Sequence, residues 1–238
     1  DYTPLVFAVV NEDYGFAKIL IEKGADVNAK VSENNQNYPG YTPLLFALDI
    51  GYKETARLLI EKGADVNAKN KYGFTPLHLA LTNGYTDIAQ LLIEKGAYVN
   101  AKNENSSTLL HYTVRYNHLE IVRLLIEKGA DVNVKSKNDS TLLHYAVLYN
   151  HLDIVRLLIE KGADVNAKSK NGSTALHCIS PNGFKIAKIL IENGADVNAT
   201  DIDNNTPLHI ATQNHENIQI ASLLIEYGAN VNAKNANA

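Results

Sequence analysis

Apolar residues recur along this chain in short clusters that come in pairs, each cluster closed by a polar or glycine-containing break. The stretch from Asn70 to Lys102 shows the unit most cleanly. Leu77, Leu79, Ala80 and Leu81 form a short, almost wholly apolar run. Ile88, Ala89, Leu91, Leu92 and Ile93 form a second run, spaced as one stripe of a helix. Thr75-Pro76 opens the first run: the hydroxyl can cap free backbone N–H groups, and proline at the first helical position loses no hydrogen bond. Asn83-Gly84 closes it, because glycine tolerates the left-handed conformation of a tight reversal. Asp87 opens the second run, where a carboxylate favours the positive end of the helix dipole, and Gly96 ends it. Val99-Asn100-Ala101 is too short for a sheet and reads as the extended arm of a turn. The pattern predicts a helix, a tight turn, a second helix and a projecting turn.

This unit occurs seven times. Gly-Ala-Asp-Val-Asn or a near copy begins at Gly24, Gly63, Gly96, Gly129, Gly162, Gly194 and Gly228, at intervals of 39, 33, 33, 33, 32 and 34 residues. A second phrase, Thr-Pro-Leu-His or a relative, keeps step at Thr3, Thr42, Thr75, Thr108, Thr141, Thr174 and Thr206. Such periodicity means a stacked array in which each unit buries its apolar face against its neighbours. The two phased phrases resemble the ankyrin repeat, for which Thr-Pro-Leu-His-x-Ala at a period of about 33 is a mark. The resemblance spans the whole chain. It implies an all-α ankyrin-repeat solenoid of helix-turn-helix units with projecting β-turn loops, forming one domain over residues 1–238. The expected repeats are 1–30, 31–69, 70–102, 103–135, 136–168, 169–200 and 201–238. It also implies a concave face made of turn tips and first helices, a role in binding other proteins, and no intrinsic catalysis.

Departures from the repeat carry further expectations. Repeats four, five and six lack the proline (Thr108-Leu109, Thr141-Leu142, Thr174-Ala175), and the threonine is expected to hold those helices by itself. Six extra residues lie within Val31 to Tyr38, a polar segment expected to be a flexible surface insertion or an enlarged finger. Repeat six is one residue short between its helices, and Pro181 should truncate its first helix. Val6, Phe7, Val9 and Val10 make the first helix of repeat one apolar for an outermost element, which leads us to expect further repeats or a cap before residue 1.

Composition narrows the function classes. The net charge is −4 with cations spread evenly, so no basic stripe exists to follow a phosphate backbone and no nucleic-acid partner is expected. No apolar run reaches the length of a membrane span, and membrane insertion is not expected. One cysteine, Cys178, excludes an internal disulfide framework and fits a reducing, intracellular (cytoplasmic) compartment. Asparagine is abundant (28 residues) while Met and Trp are absent, a bias typical of A+T-rich genomes. In an intracellular bacterium or parasite, delivery into a host cell would follow.

Candidate chemistry is sparse. His78, His111, His144, His177 and His209 share one repeat position, and the resemblance assigns them hydrogen bonds to neighbouring backbone. No His-x-x-x-His or Cys-x-x-Cys spacing supports a metal site. Cys178 beside His177 is the one conceivable nucleophile pair, but helix neighbours do not face each other. No cofactor and no small-molecule substrate are expected, and the chain is expected to be monomeric. An alternative keeps this region as the substrate-recruiting part of a larger enzyme or effector whose catalytic part lies elsewhere.

A partner-binding surface is the remaining candidate. Aligned on the threonines, Tyr41 and Phe74 share a turn-tip position near Tyr72. Two slots at the end of the first helix hold Asp49-Ile50, Thr82-Asn83, Arg115-Tyr116 and Leu148-Tyr149. The resemblance places these slots on the concave side. Tyrosine, phenylalanine and arginine are residues that anchor interfaces. Tyr41, Tyr72, Phe74, Arg115, Tyr116, Leu148 and Tyr149 are therefore expected to contact a protein partner.

Overall fold

The computed structural model describes residues 2–102 and 107–236; the chain ends and the repeat boundary expected at 103 lie outside them. Among the described residues there are thirteen α-helices and two 3-10 turns, and the only pairing of extended backbone is the isolated bridges Lys102–Thr108 and Lys135–Thr141. The fold divides into two compact units, the first ending at Leu109 and the second beginning at Leu110.

The first unit holds α1 (Pro4–Val10), α2 (Tyr14–Glu22), α3 (Pro43–Ile50), α4 (Lys53–Glu61), α5 (Pro76–Thr82) and α6 (Thr86–Glu94). Each short helix packs on the longer one that follows it. The short helices also pack on one another in one row, and α2, α4 and α6 form a second row. Thr3, Thr42 and Thr75 start the short helices, their hydroxyls accepting the amides of Val6, Leu45 and His78 at 3.3, 3.3 and 3.4 Å. Proline follows each of them at the first helical position. Ala17, Ala56 and Ala89 are fully buried, as are Leu59 and Leu92, so small residues let the helices approach while leucines fill the space between them. Each such leucine contributes about 1.5–3 kcal/mol by leaving water.

A second device joins the turns. Asn28 Oδ1 accepts the Asp65 amide at 2.7 Å while its Nδ2 donates to the Gly63 carbonyl. Asn67 does the same with the Tyr98 amide at 2.8 Å and the Gly96 carbonyl at 3.1 Å. Each asparagine thus satisfies both a donor and an acceptor left over at the end of the next repeat's second helix.

The insertion from Val31 to Tyr38 is not a loose finger. Asn35 Oδ1 accepts the amides of Asn37 at 3.0 Å and Tyr38 at 2.9 Å, and the Val31 amide donates to the Tyr41 carbonyl at 2.9 Å. Val31 is buried, and the Tyr38 ring packs on Tyr41 and Phe46 with centroids 5.3 and 4.9 Å away. An aromatic anchor and a side-chain-closed turn give this polar segment a single conformation.

The second unit holds all but the first residue of α7 (Leu109–Arg115), then α8 (Leu119–Glu127), α9 (Leu142–Leu148), α10 (Leu152–Glu160), α11 (Phe184–Glu192), α12 (Pro207–Thr212) and α13 (Ile218–Glu226). The asparagine ladder recurs: Asn133, Asn166 and Asn198 donate to the carbonyls of Gly162, Gly194 and Gly228 at 3.1, 2.8 and 3.0 Å. Their Oδ1 atoms accept the amides of Asp164, Asp196 and Asn230.

The helices without proline diverge. α7 and α9 keep seven residues, but the first helix of repeat six is only a 3-10 turn, Ala175–Cys178. The threonine is therefore not sufficient in every repeat. Pro181 disfavours helix at the residue before it, and Ile179 already leaves in extended conformation (φ −68, ψ 126). The chain returns through Gly183, where an added Cβ would lie 2.7 Å from Ile179 Cγ2 and 2.9 Å from the Ser180 carbonyl.

At the outer face of repeat one, Val6 and Val9 are buried rather than exposed, whereas Phe7, Phe16 and Ile19 are 53–62% exposed. Later repeats carry Thr55, Ile88, Ile121, Ile154 and Ile186 at the position of Phe16, all of them buried. The groove of about 380 Å³ lined by Pro4, Phe7, Asn11 and Phe16 is therefore built of repeat-stacking positions.

Candidate protein-interaction surface

The recurrent histidines belong to the framework. His144 Nδ1 receives the Thr141 amide at 3.2 Å and faces the Thr141 hydroxyl at 2.8 Å, so it acts as an acceptor. The ring hydrogen then sits on Nε2, which donates to the Ser173 carbonyl at 2.9 Å. His177 repeats the arrangement with Thr174 and the Asn205 carbonyl, at 3.0 Å. One ring thus caps its own helix and ties down the turn of the next repeat. Burial pulls both imidazoles below the ordinary histidine pKa, the carbonyl bonds offsetting this in part. His78 is pulled down to about 4, by burial first and by the charge of Lys69 second. These rings are neutral at pH 7 and form part of the hydrogen-bonded scaffold.

Cys178 has no nucleophile's setting. Burial pushes its thiol up to about 11, which suppresses the thiolate that reactivity requires. Among the described residues, no group of three or more His, Cys, Asp or Glu side chains could hold a metal ion, and no helix is long and apolar enough to cross a membrane.

The seven predicted contact residues fall into two groups. In the first unit, Tyr41 is only 9% exposed, its ring packed against Tyr38 and Phe46 and its hydroxyl 3.4 Å from Asp49 Oδ2. Burial, then the Asp49 charge, push its pKa up to about 12, and burial raises that of Asp49. Its assignment to a contact surface is corrected: the extra residues of the insertion bring Tyr38 over it. Phe74 is half-buried, edge-on to His78 with centroids 5.7 Å apart. Tyr72 is the exposed member at 47%. Its amide is held by Asn70 Oδ1 at 3.0 Å.

In the second unit the other four come together. Arg115 closes α7 and Leu148 closes α9, each followed by its tyrosine at the helix C-cap or just beyond. The Arg115 guanidinium lies 5.9 Å from the Tyr116 ring and 5.8 Å from the Tyr149 ring, so one cation is shared by two aromatic faces. The Tyr149 ring stacks on His151 at 6.0 Å and 22°, and Tyr116 leans on His118 at 6.4 Å. The His151 Nε2 lies 3.2 Å from the Arg115 carbonyl, bonding the end of α7 to the following repeat. Tyr116, Leu148 and Tyr149 remain 60, 52 and 38% exposed. Asn117 and Asn150 set the rings' backbone, with φ of 59 and 58 where earlier repeats use Gly51 and Gly84.

The asparagine ladder and the pairing of Arg115 with Tyr149 were not anticipated. A signal existed for the first: the final Asn of the repeated phrase is present in all seven copies, although its Asp is not. The second depends on side-chain geometry between repeats.

Helix pairs in two rows, turns tied by asparagine and histidine, and variable residues at the helix ends define a helical repeat protein. Family comparison agrees. The model for three copies of the ankyrin repeat matches residues 29–103, 99–169 and 161–235, and the single-repeat model matches 1–31. The chain belongs to the ankyrin-repeat family. Among solved structures it is similar to the ankyrin repeat domain of Bcl-3, described as a member of the IκB protein family. The two share 31% identity and a TM-score of 0.74, over 88% of this chain and 93% of that one. With 577 solved chains matching, the fold is too widespread to specify a partner. No curated protein matches the sequence.

Proposed function

We propose that this chain is a non-catalytic recognition module that binds a protein partner through its first-helix ends, on the side that is concave in ankyrin stacks. The observation that carries this reading is the exposed Arg115, Tyr116, Leu148 and Tyr149 cluster at the ends of α7 and α9, where one guanidinium reaches two tyrosine rings. Large, partly rigid side chains of these types give much contact area for little lost freedom. Tyr72 is a separate exposed aromatic of the first unit. Membership of the ankyrin family supports a protein as the partner, and the raised pKa of the half-buried Cys178 thiol argues against nucleophilic catalysis there. An intracellular setting accords with the lone, unpaired thiol.

Affinity capture from the native cell extract tests the reading, using the wild type and an Arg115→Ala/Tyr116→Ala/Tyr149→Ala variant whose thermal unfolding is measured alongside. A protein retained by the wild type and lost from the folded triple variant supports it. Equal retention by both would place recognition elsewhere on the molecule.

A further inference from the structure

We infer that the Arg115 cluster selects an acidic, extended peptide segment in which an Asp or Glu and an apolar side chain two residues on share one face; the inference rests on the interaction surface proposed above. The cluster's hydrogen-bonding capacity is one-sided. A guanidinium offers five N–H donors and no acceptor, and Arg115 is exposed while its guanidinium carbon lies 5.9 and 5.8 Å from the Tyr116 and Tyr149 ring centres. Ring faces accept no forked hydrogen bond, so its donors still call for an anionic acceptor. No carboxylate among the described residues pairs with Arg115. Glu120 and Asp153, in the first turns of α8 and α10, make no ion pair with it.

The charges of the cluster's side chains are positive or zero, although the whole chain carries −4. An arginine within cation–π reach of two rings has fewer free rotamers to lose, so a forked bond to a carboxylate costs less ordering than for an isolated surface arginine. Such a bond is bidentate and charge-assisted, the stronger kind. Leu148, half exposed on α9 beside Tyr149, supplies an apolar contact one repeat away from Arg115. A ligand that matches both must carry an anionic acceptor and an apolar side chain along one strand, as an acidic, apolar peptide does. A free phosphate would satisfy the arginine alone and leave Leu148 and the ring edges without a partner.

The test uses fluorescein-labelled peptides that place Leu two residues after Glu, after Gln or after Lys, so that both side chains share one strand face, titrated with the full chain and followed by fluorescence anisotropy. The expected result is binding of the Glu-Leu peptide, roughly tenfold weaker binding of its Gln counterpart, and still weaker binding of the Lys one. Arg115→Gln should abolish the preference for Glu over Gln, and a circular dichroism melt verifies that this variant is folded. Absence of binding by the Glu-Leu peptide overturns the inference, as does a Glu preference that survives Arg115→Gln. Phosphatidylserine vesicles that bind the wild type more tightly than any peptide overturn it in favour of a membrane surface. If the Gln peptide binds as well as the Glu peptide and both are lost in Tyr116→Ala/Tyr149→Ala, acid selection fails while the contact surface stands. If no binding depends on those tyrosines, the surface fails as well.

Discussion

Two groups of aromatic side chains occupy this molecule, built from the same residue types and put to opposite uses. Tyr38, Tyr41 and Phe46 in the first unit form a packed cluster with ring centroids 4.9–5.3 Å apart. Tyr116 and Tyr149 in the second unit face solvent around Arg115. The difference is one of register. Phe46 stands in the middle of α3, on the stripe that meets neighbouring helices, while Tyr116 and Tyr149 stand at helix ends, where the chain reverses and no neighbour covers them. The inserted residues then convert Tyr41 from a turn-tip side chain into a buried one. Residue type alone is thus a poor guide to which aromatics stay exposed, and the position along the short helix is a better one.

The comparison can be broken most directly at its buried side. Phe46→Ala should lower stability by about 3–5 kcal/mol, because the ring is 1% exposed and its removal leaves a cavity among three tyrosine contacts. Urea unfolding measures this, and a loss under about 1 kcal/mol would mean that the cluster is not packed as described.

The histidine ties give a second, smaller effect. His78, His144 and His177 have folded-state pKa values below the ordinary one, so the unfolded chain binds more protons once the pH falls below about 6.5. Stability should be fully present above that pH and decline as the pH falls through the depressed values, the lowest being about 4 for His78. His144→Ala should cost about 1–3 kcal/mol at pH 7, by orphaning the Thr141 amide and the Ser173 carbonyl, and should shrink the acid-dependent loss. A urea midpoint that does not change between pH 7 and 4.5 would remove the buried, neutral histidines from this account.

The smallest effect is expected at the exposed group. Tyr116→Ala and Tyr149→Ala should each change stability by less than about 0.5 kcal/mol. Thermal melts of the two variants check this, and a large loss in either would make these rings framework, as Phe46 is.

Much of this was legible in the chain itself. Thr75-Pro76 and Thr206-Pro207 mark helix starts because capping and the proline ring act locally, and both pairs start helices in the structure. Gly24, Gly63 and Gly96 mark helix ends because their backbones take φ of 85–89, which a β-carbon resists. Repeat six was readable in part: Pro181 announced a short first helix, but the packing of Gly183 against Ile179, which holds the replacement turn, was not visible. The exposed tyrosines at 116 and 149 were legible from register. The buried fate of Tyr41 was not, since it depends on how the inserted segment folds back over the following helix.

The sequence by itself determined the repeat, its phase, its helices and its turns, because those rest on interactions within a few residues and on a period that repeats them. Only the tertiary structure decided which side chains join one repeat to the next. Asn67 reaching Gly96, His144 reaching Ser173 and Arg115 meeting Tyr149 each span about one repeat of chain. Whether such groups meet depends on how closely successive helices pack and on the rotamers that packing allows. No local pattern carries that information, and it separates the aromatic residues that hold this protein together from those left exposed.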